Sequence, residues 1–406
     1  MTTTQTSTGI ERDTRHERGI TLALFAAGLT TFASMYSAQA LLPTFSAAFG
    51  ATPAHAALAV SLTTGFLALA IIPVGALSSR IGRTRVMIGS AVAAAAIGVL
   101  LTLSPSFDVL LTGRALQGIA LAGVPAVAMA YLAEEIGGEG LGAAMGIYVA
   151  GTTLGGLAGR LIPAFALELT SWRWAQAAAS LAALACTVWF VRRLPPSRRF
   201  VARPAGIRTM LGDLATPLRH RGLRALFGLG FVLMGGFVSV YNYLGYRLTT
   251  APFELPQTLV GLVFVLYLAG TAASAASGRL ADRVGRQQVL AASVGLMAIG
   301  LAVTIPDHLA AVILGVLLYT AGFFGAHTAA SAWVGAIAKG NRGAASSLYL
   351  FAYYLGSALI GGGAGIAYAW GGWLGLVRGI AVLLAIAAML LCAVTIHSRR
   401  DAVVPD

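Results

Sequence analysis

Gly75-Ala-Leu-Ser-Ser-Arg-Ile-Gly-Arg-Thr-Arg85 returns about half a chain later as Gly278-Arg-Leu-Ala-Asp-Arg-Val-Gly-Arg-Gln-Gln288. Gly75, Leu77, Arg80, Gly82 and Arg83 map onto Gly278, Leu280, Arg283, Gly285 and Arg286 at one constant offset. Both copies lie between long apolar runs. The duplication continues outside these loops: Gly142, Tyr148 and Gly155 match Gly343, Tyr349 and Gly356 at a constant offset. Such a repeat in an apolar chain predicts two similar helical bundles joined end to end. Parallel halves related by an axis along the membrane normal are one layout of membrane carriers, with the binding site between the halves near the midplane.

Composition supports a lipid-embedded chain. Of 406 residues, 58% are hydrophobic and only 10% charged. Mean hydropathy is +0.82. Apolar runs of about 20 residues recur, each long enough for a hydrocarbon core of roughly 30 Å. Their backbones must satisfy themselves, so helices are expected. Twelve are predicted, over 20–49, 55–78, 84–104, 108–132, 141–166, 172–191, 223–248, 257–278, 287–305, 308–336, 343–368 and 373–397. The chain then divides into an N-tail (1–19), a six-helix bundle (20–191), a basic linker (192–222), a second six-helix bundle (223–397) and a C-tail (398–406). The expected class is an all-α membrane protein of two pseudo-symmetric halves.

The formal net charge of +13 is an orientation signal. Most Lys and Arg fall in the N-tail, the 2–3, 8–9 and 10–11 loops, the linker and the C-tail; the opposite side holds only Arg173 and Arg247. This bias places both termini in the cytoplasm and matches anionic lipid headgroups there. Nucleic acid is not an expected partner. The two cysteines, Cys186 and Cys392, sit inside apolar runs and suggest neither a disulfide framework nor a metal site. No cofactor motif, nucleophile–base pair or metal cluster is visible, so an enzyme is not expected.

Three motifs carry a family resemblance. The repeated loop resembles the signature G-x-L-a-D-r-x-G-r. Leu110-Leu-Thr-Gly-Arg114-Ala-Leu-Gln117-Gly118 resembles an R-x-x-Q-G signature in span four. Gly151-Thr-Thr-Leu-Gly155-Gly156 is similar to a G-P-x-x-G-G signature in span five. Over nearly its whole length the chain resembles the major facilitator superfamily, and within it the twelve-span drug/proton antiporters that include sugar-efflux-like permeases. The chain departs from the pattern at Ser79, where the loop carboxylate stands in the family (Asp282 keeps it in the second copy), and at Thr152, where the proline stands.

The resemblance implies a proton-coupled exporter of the bacterial inner membrane, working by alternating access as a monomer, with spans one, four, seven and ten lining the cavity. It makes the repeated loops (Gly75, Ser79, Arg80, Gly82, Arg83; Gly278, Asp282, Arg283, Gly285, Arg286) conformational latches of unequal strength; the alternative is a basic turn that only sets topology. Gly151, Thr152, Gly155 and Gly156 become a helix-packing motif.

The residues add their own argument. A guanidinium inside a span costs at least about 2.5–3.5 kcal/mol, so Arg114, with Gln117 one turn on, is expected to face the cavity or a partner, or else to snorkel outward. Arg160 poses the same choice. Tyr36, Gln39, Tyr241 and Asn242 are further cavity candidates. His327 is the histidine deepest in a span and the best-placed proton carrier, or else a packed, hydrogen-bonded ring. The carboxylates all fall in tails, loops or span ends, so the interior favours neutral or anionic cargo over lipophilic cations. Uptake or exchange of a small organic anion is the alternative, and a carrier-fold receptor or scaffold the alternative of another class.

Overall fold

A computed structural model describes residues 14–136, 140–202, 207–338 and 340–403. Most of the N-tail, Arg203, Lys339 and the last three residues lie outside the described residues. Ten helices long and apolar enough to cross a membrane follow in order: α1 (His16–Phe49), α2 (Pro53–Ile81), α3 (Arg83–Leu103), α4 (Phe107–Glu135), α5 (Leu141–Leu169), α6 (Trp172–Arg193), α7 (Arg221–Thr249), α8 (Gln257–Val284), α9 (Arg286–Val303) and α10 (Leu309–Ile337). The last apolar helix, Arg342–His397, has 56 residues, far more than one crossing needs at 1.5 Å per residue. Non-helical dihedrals at Gly371 and Gly372 break it into α11 (342–370) and α12 (373–397). The twelve expected crossings are therefore present, in two six-helix halves. Helix begins at Thr14, inside the expected N-tail, and the linker holds a helix of its own, Ile207–Arg219.

Local signals set the helix starts. Thr52 accepts from the His55 amide just before Pro53, and Ser106 accepts from the Val109 amide. Each satisfies one of the orphan donors of a first turn.

The repeat has a physical counterpart in helix packing. A Cβ on Gly151, Gly155 or Gly159 of α5 would lie 2.3 Å from the carbonyl oxygens of Phe25, Leu29 and Ala33 on α1. In the other half a Cβ on Gly356 of α11 would lie 2.0 Å from the Phe231 carbonyl of α7. Gly155 and Gly356, matched by sequence offset, thus make the same backbone-to-backbone approach. Thr152 does not interrupt α5; its hydroxyl bonds back to the Val149 carbonyl at 2.7 Å.

The paired loops are also alike in conformation. Gly82 has φ 109°, ψ 143° and Gly285 has φ 97°, ψ 148°. Any Cβ is strained there.

The halves meet away from the face that carries the chain termini. There Ser46 and Tyr246 share a hydrogen bond of 2.7 Å, and the Tyr246 hydroxyl also donates to Leu42 at 2.8 Å. Small residues bring the backbones together: Gly65 against Ala358, Gly365 against Ala54, Gly261 against Ala164. Toward the terminal face, no residue of α8 from Thr271 onward is buried. That stretch of α8 stays at least partly exposed throughout, while α2 and α11 still pack through Ile71, Leu350 and Phe351.

Gly82→Ala and Gly285→Ala should each destabilise the protein by about 1–3 kcal/mol, read as a lower thermal midpoint in detergent. An unchanged midpoint in both would show that the turns relax without strain.

Candidate functional site

Arg114 and Arg160, the two arginines that sequence alone could not separate, serve different ends. Both are 1% exposed, and among the described residues neither has a carboxylate partner.

Arg114 is enclosed by its own half. Nε donates to the Ala59 carbonyl of α2 at 2.8 Å, and Nη2 to the Met35 carbonyl at 2.6 Å. Nη1 donates to the Ser34 carbonyl at 3.0 Å and to Gln117 Oε1 at 2.6 Å. Gln117 in turn donates to the Ala94 carbonyl of α3 at 3.0 Å. The regular helix of α1 ends at Tyr36 and resumes at Leu42 after a tight turn over Gln39–Leu41. The carbonyls of Ser34 and Met35 are among those that such a helix end leaves without partners. Arg114 fills that gap: of the expected alternatives, the described bonds give it partners within its own half and no outward snorkelling. It bolts the break in α1 to α2 and, through Gln117, to α3.

Arg160 stands on the seam between the halves. Nε donates to Gln39 Oε1 at 2.6 Å and Nη1 to the Gly156 carbonyl, one turn earlier in α5, at 2.5 Å. Nη2 crosses to the Tyr267 hydroxyl of α8 at 3.0 Å. Gln39 crosses as well, donating to Asn242 Oδ1 of α7 at 2.7 Å. Tyr36 and Tyr267 place their rings 4.0 and 4.4 Å from Cζ of Arg160, and Phe264 follows at 5.3 Å. Cation–π contact and aligned acceptors replace water around the charge.

Tyr241 turns its hydroxyl to Thr320 of α10, at 2.7 Å. Its ring lies 4.7 Å from that of Tyr267. From Tyr267 a run of rings continues to Phe237 at 5.5 Å, Phe323 at 3.8 Å and His327 at 6.1 Å. His327 Nδ1 is 3.0 Å from the Tyr349 hydroxyl of α11, and its ring is 4.8 Å from that of Tyr353. The structure therefore brings together Tyr36, Gln39, Arg160, Tyr241 and Asn242, places His327 at the far end of the same aromatic run, and leaves Arg114 and Gln117 out.

Tyr267 escaped sequence reasoning. It is the one polar side chain from Leu259 to Gly270 in α8, and a search for an acceptor to satisfy a buried arginine would have singled it out.

The loop residues are unequal. Arg83 pairs with Glu134 at 2.8 Å and donates to Ser78 Oγ at 2.7 Å. Ser79 only bonds back to the Ala76 carbonyl at 2.7 Å. Glu135 is 4% exposed and accepts from the amides of Arg198 and Arg199 at 2.9 and 3.0 Å. These contacts tie the first loop and the linker to α4. In the second copy Asp282, Arg283 and Arg286 are exposed. No hydrogen bond between Asp282 and a helix end is formed among the described residues.

The family model of the Major Facilitator Superfamily matches residues 24–255 and 248–405. The chain belongs to the major facilitator superfamily. It is 42% identical over 395 residues to the inner membrane transport protein YnfM of Escherichia coli (strain K12), covering 97% of this chain and 94% of that protein. It is 40% identical over 383 residues to the uncharacterized MFS-type transporter YybF of Bacillus subtilis (strain 168), covering 94% and 95%. Among solved structures it resembles a bacterial homolog of the human lysosomal transporter Spinster, in an inward-facing and occupied conformation. The TM-score is 0.74 at 14% identity, covering 95% of this chain and 97% of that one. The transporter is thus a multi-pass membrane carrier of small molecules and not an enzyme.

Arg114→Ala removes the donor from several buried acceptors, at about 1–3 kcal/mol each. It should lower the thermal midpoint sharply and reduce yield. Arg160→Gln should fold to a monodisperse protein and lose at least ten-fold in solute flux. Equal loss of stability in both variants would contradict the division of roles.

Proposed function

We propose that this transporter exports a small neutral or anionic molecule in exchange for protons. The carrying observation is Arg160: a buried cation on the seam between the halves, bonded to both and paired with no carboxylate among the described residues. Lipophilic cations would meet an uncompensated positive charge there, at a cost that rises as the local dielectric falls. Anions gain from it, and neutral molecules can use the hydroxyl and amide groups around it. The imidazole at the end of the aromatic run, His327, titrates nearest neutral pH among side-chain types and is held by Tyr349; it is the proposed proton carrier.

The basic loops support a terminal face in the cytoplasm of an inner membrane, and the closure between Ser46 and Tyr246 then lies on the outer side. Rocking of the two bundles then alternates access. The tied first loop and the untied second one would act as latches of unequal strength. One chain supplies both halves, so a monomer suffices.

Exchange of one organic anion for another is a second reading, favoured by the same bridge. An empty carrier keeps Arg160 tied across the seam and reorients slowly, whereas a bound anion replaces those bonds. A receptor or scaffold role fails once solute flux is seen.

A proteoliposome flux screen across cationic, neutral and anionic solutes, with and without a pH gradient, tests the proposal. Uphill movement of neutral or anionic solutes driven by the gradient is expected. Efflux confined to quaternary ammonium compounds would overturn it. His327→Ala should abolish gradient-driven uphill transport while binding persists; gradient-driven transport at the wild-type rate would remove His327 from the coupling step.

A further inference from the structure

The surroundings of Arg160 select the shape of a partner, given the anionic reading above. Tyr36 and Tyr267 lie against the guanidinium, so an acceptor reaches it in plane, along its edge. Nε is taken by Gln39. Each terminal nitrogen carries two protons and donates one described bond, to the Gly156 carbonyl and to the Tyr267 hydroxyl respectively. One proton remains on each. Two neighbouring donors on a planar fork match the two oxygens of a carboxylate.

A second observation points to a ligand. Asn242 Nδ2, Ser61 Oγ and Ser357 Oγ are buried without hydrogen-bond partners, in residues that are 1%, 4% and 0% exposed. Asn242 Nδ2 and Ser61 Oγ lie 3.6 and 3.9 Å from the position a Cβ would take on Gly361. Val238 of α7 packs 2.5 Å from that same position, so these polar atoms gather at a close junction of α2, α7 and α11, where Ser357 is one turn before Gly361 on the same face. Unpaired buried polar atoms are rare in native interiors. Asn242 is itself bonded to Gln39 and so is two bonds removed from Arg160.

The remaining wall is aromatic: Phe237, Tyr241, Phe264 and Phe324 all approach the ring of Tyr267 within 6.5 Å. Stacked and edge-on rings accept a flat body better than a globular one. Arg114 offers no second fork: Nε and Nη1 are fully engaged within its own half, and Nη2 keeps a single proton beyond its bond to Met35.

We infer that the cargo is a small aromatic, or otherwise planar, monocarboxylate. Its carboxylate lies on the Arg160 fork, its ring lies among the aromatic side chains around Tyr267, and the Asn242 amide with the Ser61 and Ser357 hydroxyls serves further oxygens on the ring. Binding neutralises the buried charge and so weakens the charge-assisted bond to Tyr267; loading loosens the seam.

The test is equilibrium binding of radiolabelled benzoate to the purified full-length transporter. Benzamide, cyclohexanecarboxylate and succinate serve as competitors. Benzoate should bind saturably, with cyclohexanecarboxylate at least ten-fold weaker and benzamide and succinate weaker still. Arg160→Lys keeps the charge and loses the fork; a monodisperse preparation should bind benzoate at least ten-fold less tightly. Tyr267→Phe keeps the ring and frees a third proton on Arg160, so it should bind at least as tightly as the wild type. Wild-type affinity in Arg160→Lys, or a ten-fold loss in Tyr267→Phe, would overturn the fork. Cyclohexanecarboxylate competing as well as benzoate, or succinate binding where benzoate does not, would overturn the planar monocarboxylate and leave the anionic reading standing. Benzamide binding as tightly as benzoate would overturn both.

Discussion

Arg160 holds a positive charge that is almost fully buried and that no carboxylate pairs with among the described residues. A guanidinium in such a place stays only if acceptors are fixed around it, because the desolvation penalty is several kcal/mol for an ion that remains unpaired. Here the acceptors come from both halves: Gly156 and Gln39 from one, Tyr267 from the other, with Asn242 tied in through Gln39. The need to solvate one charge thus becomes a force that holds two bundles together. The closure at the face away from the termini, with Tyr246 reaching Ser46 and Leu42, joins the same two halves.

A second buried arginine makes the comparison informative. Arg114 has the same burial, yet every acceptor described for it belongs to the N-terminal half. Its bonds do not change length when the halves move as rigid bodies. Arg160 must exchange partners in that motion. In the proposed rocking, rigid support and movable contact therefore fall to different residues of one type. The glycine faces fit this division: Gly155 on α1 and Gly356 on α7 make each half tight internally, which leaves the seam as the place where movement can occur.

The repeat was legible because its determinants are local. A turn that needs φ near 100° at Gly82 and Gly285 admits little besides glycine, and a backbone contact at Gly155 and Gly356 admits no Cβ. The length and hydropathy of the spans were legible for the same reason. The roles of the arginines were not. The break after Tyr36 passes through Ser37-Ala-Gln-Ala-Leu41, and Pro43, in the first turn of the resumed helix, marks it; what the sequence did not carry is which side chain takes the freed carbonyls. Tyr36, Gln39 and Asn242 could be picked out by helical spacing. Tyr267 could not, since its partner lies more than a hundred residues away and in the other half.

Spin labels at Ala48 and Thr250, both exposed at the face away from the termini, measure the seam directly. Distance distributions by pulsed electron paramagnetic resonance, without solute, would compare the wild type with Arg160→Gln. If the buried charge holds the halves together, the wild type gives one short distance and the variant gains a longer one. An identical, short distribution in both would contradict the account.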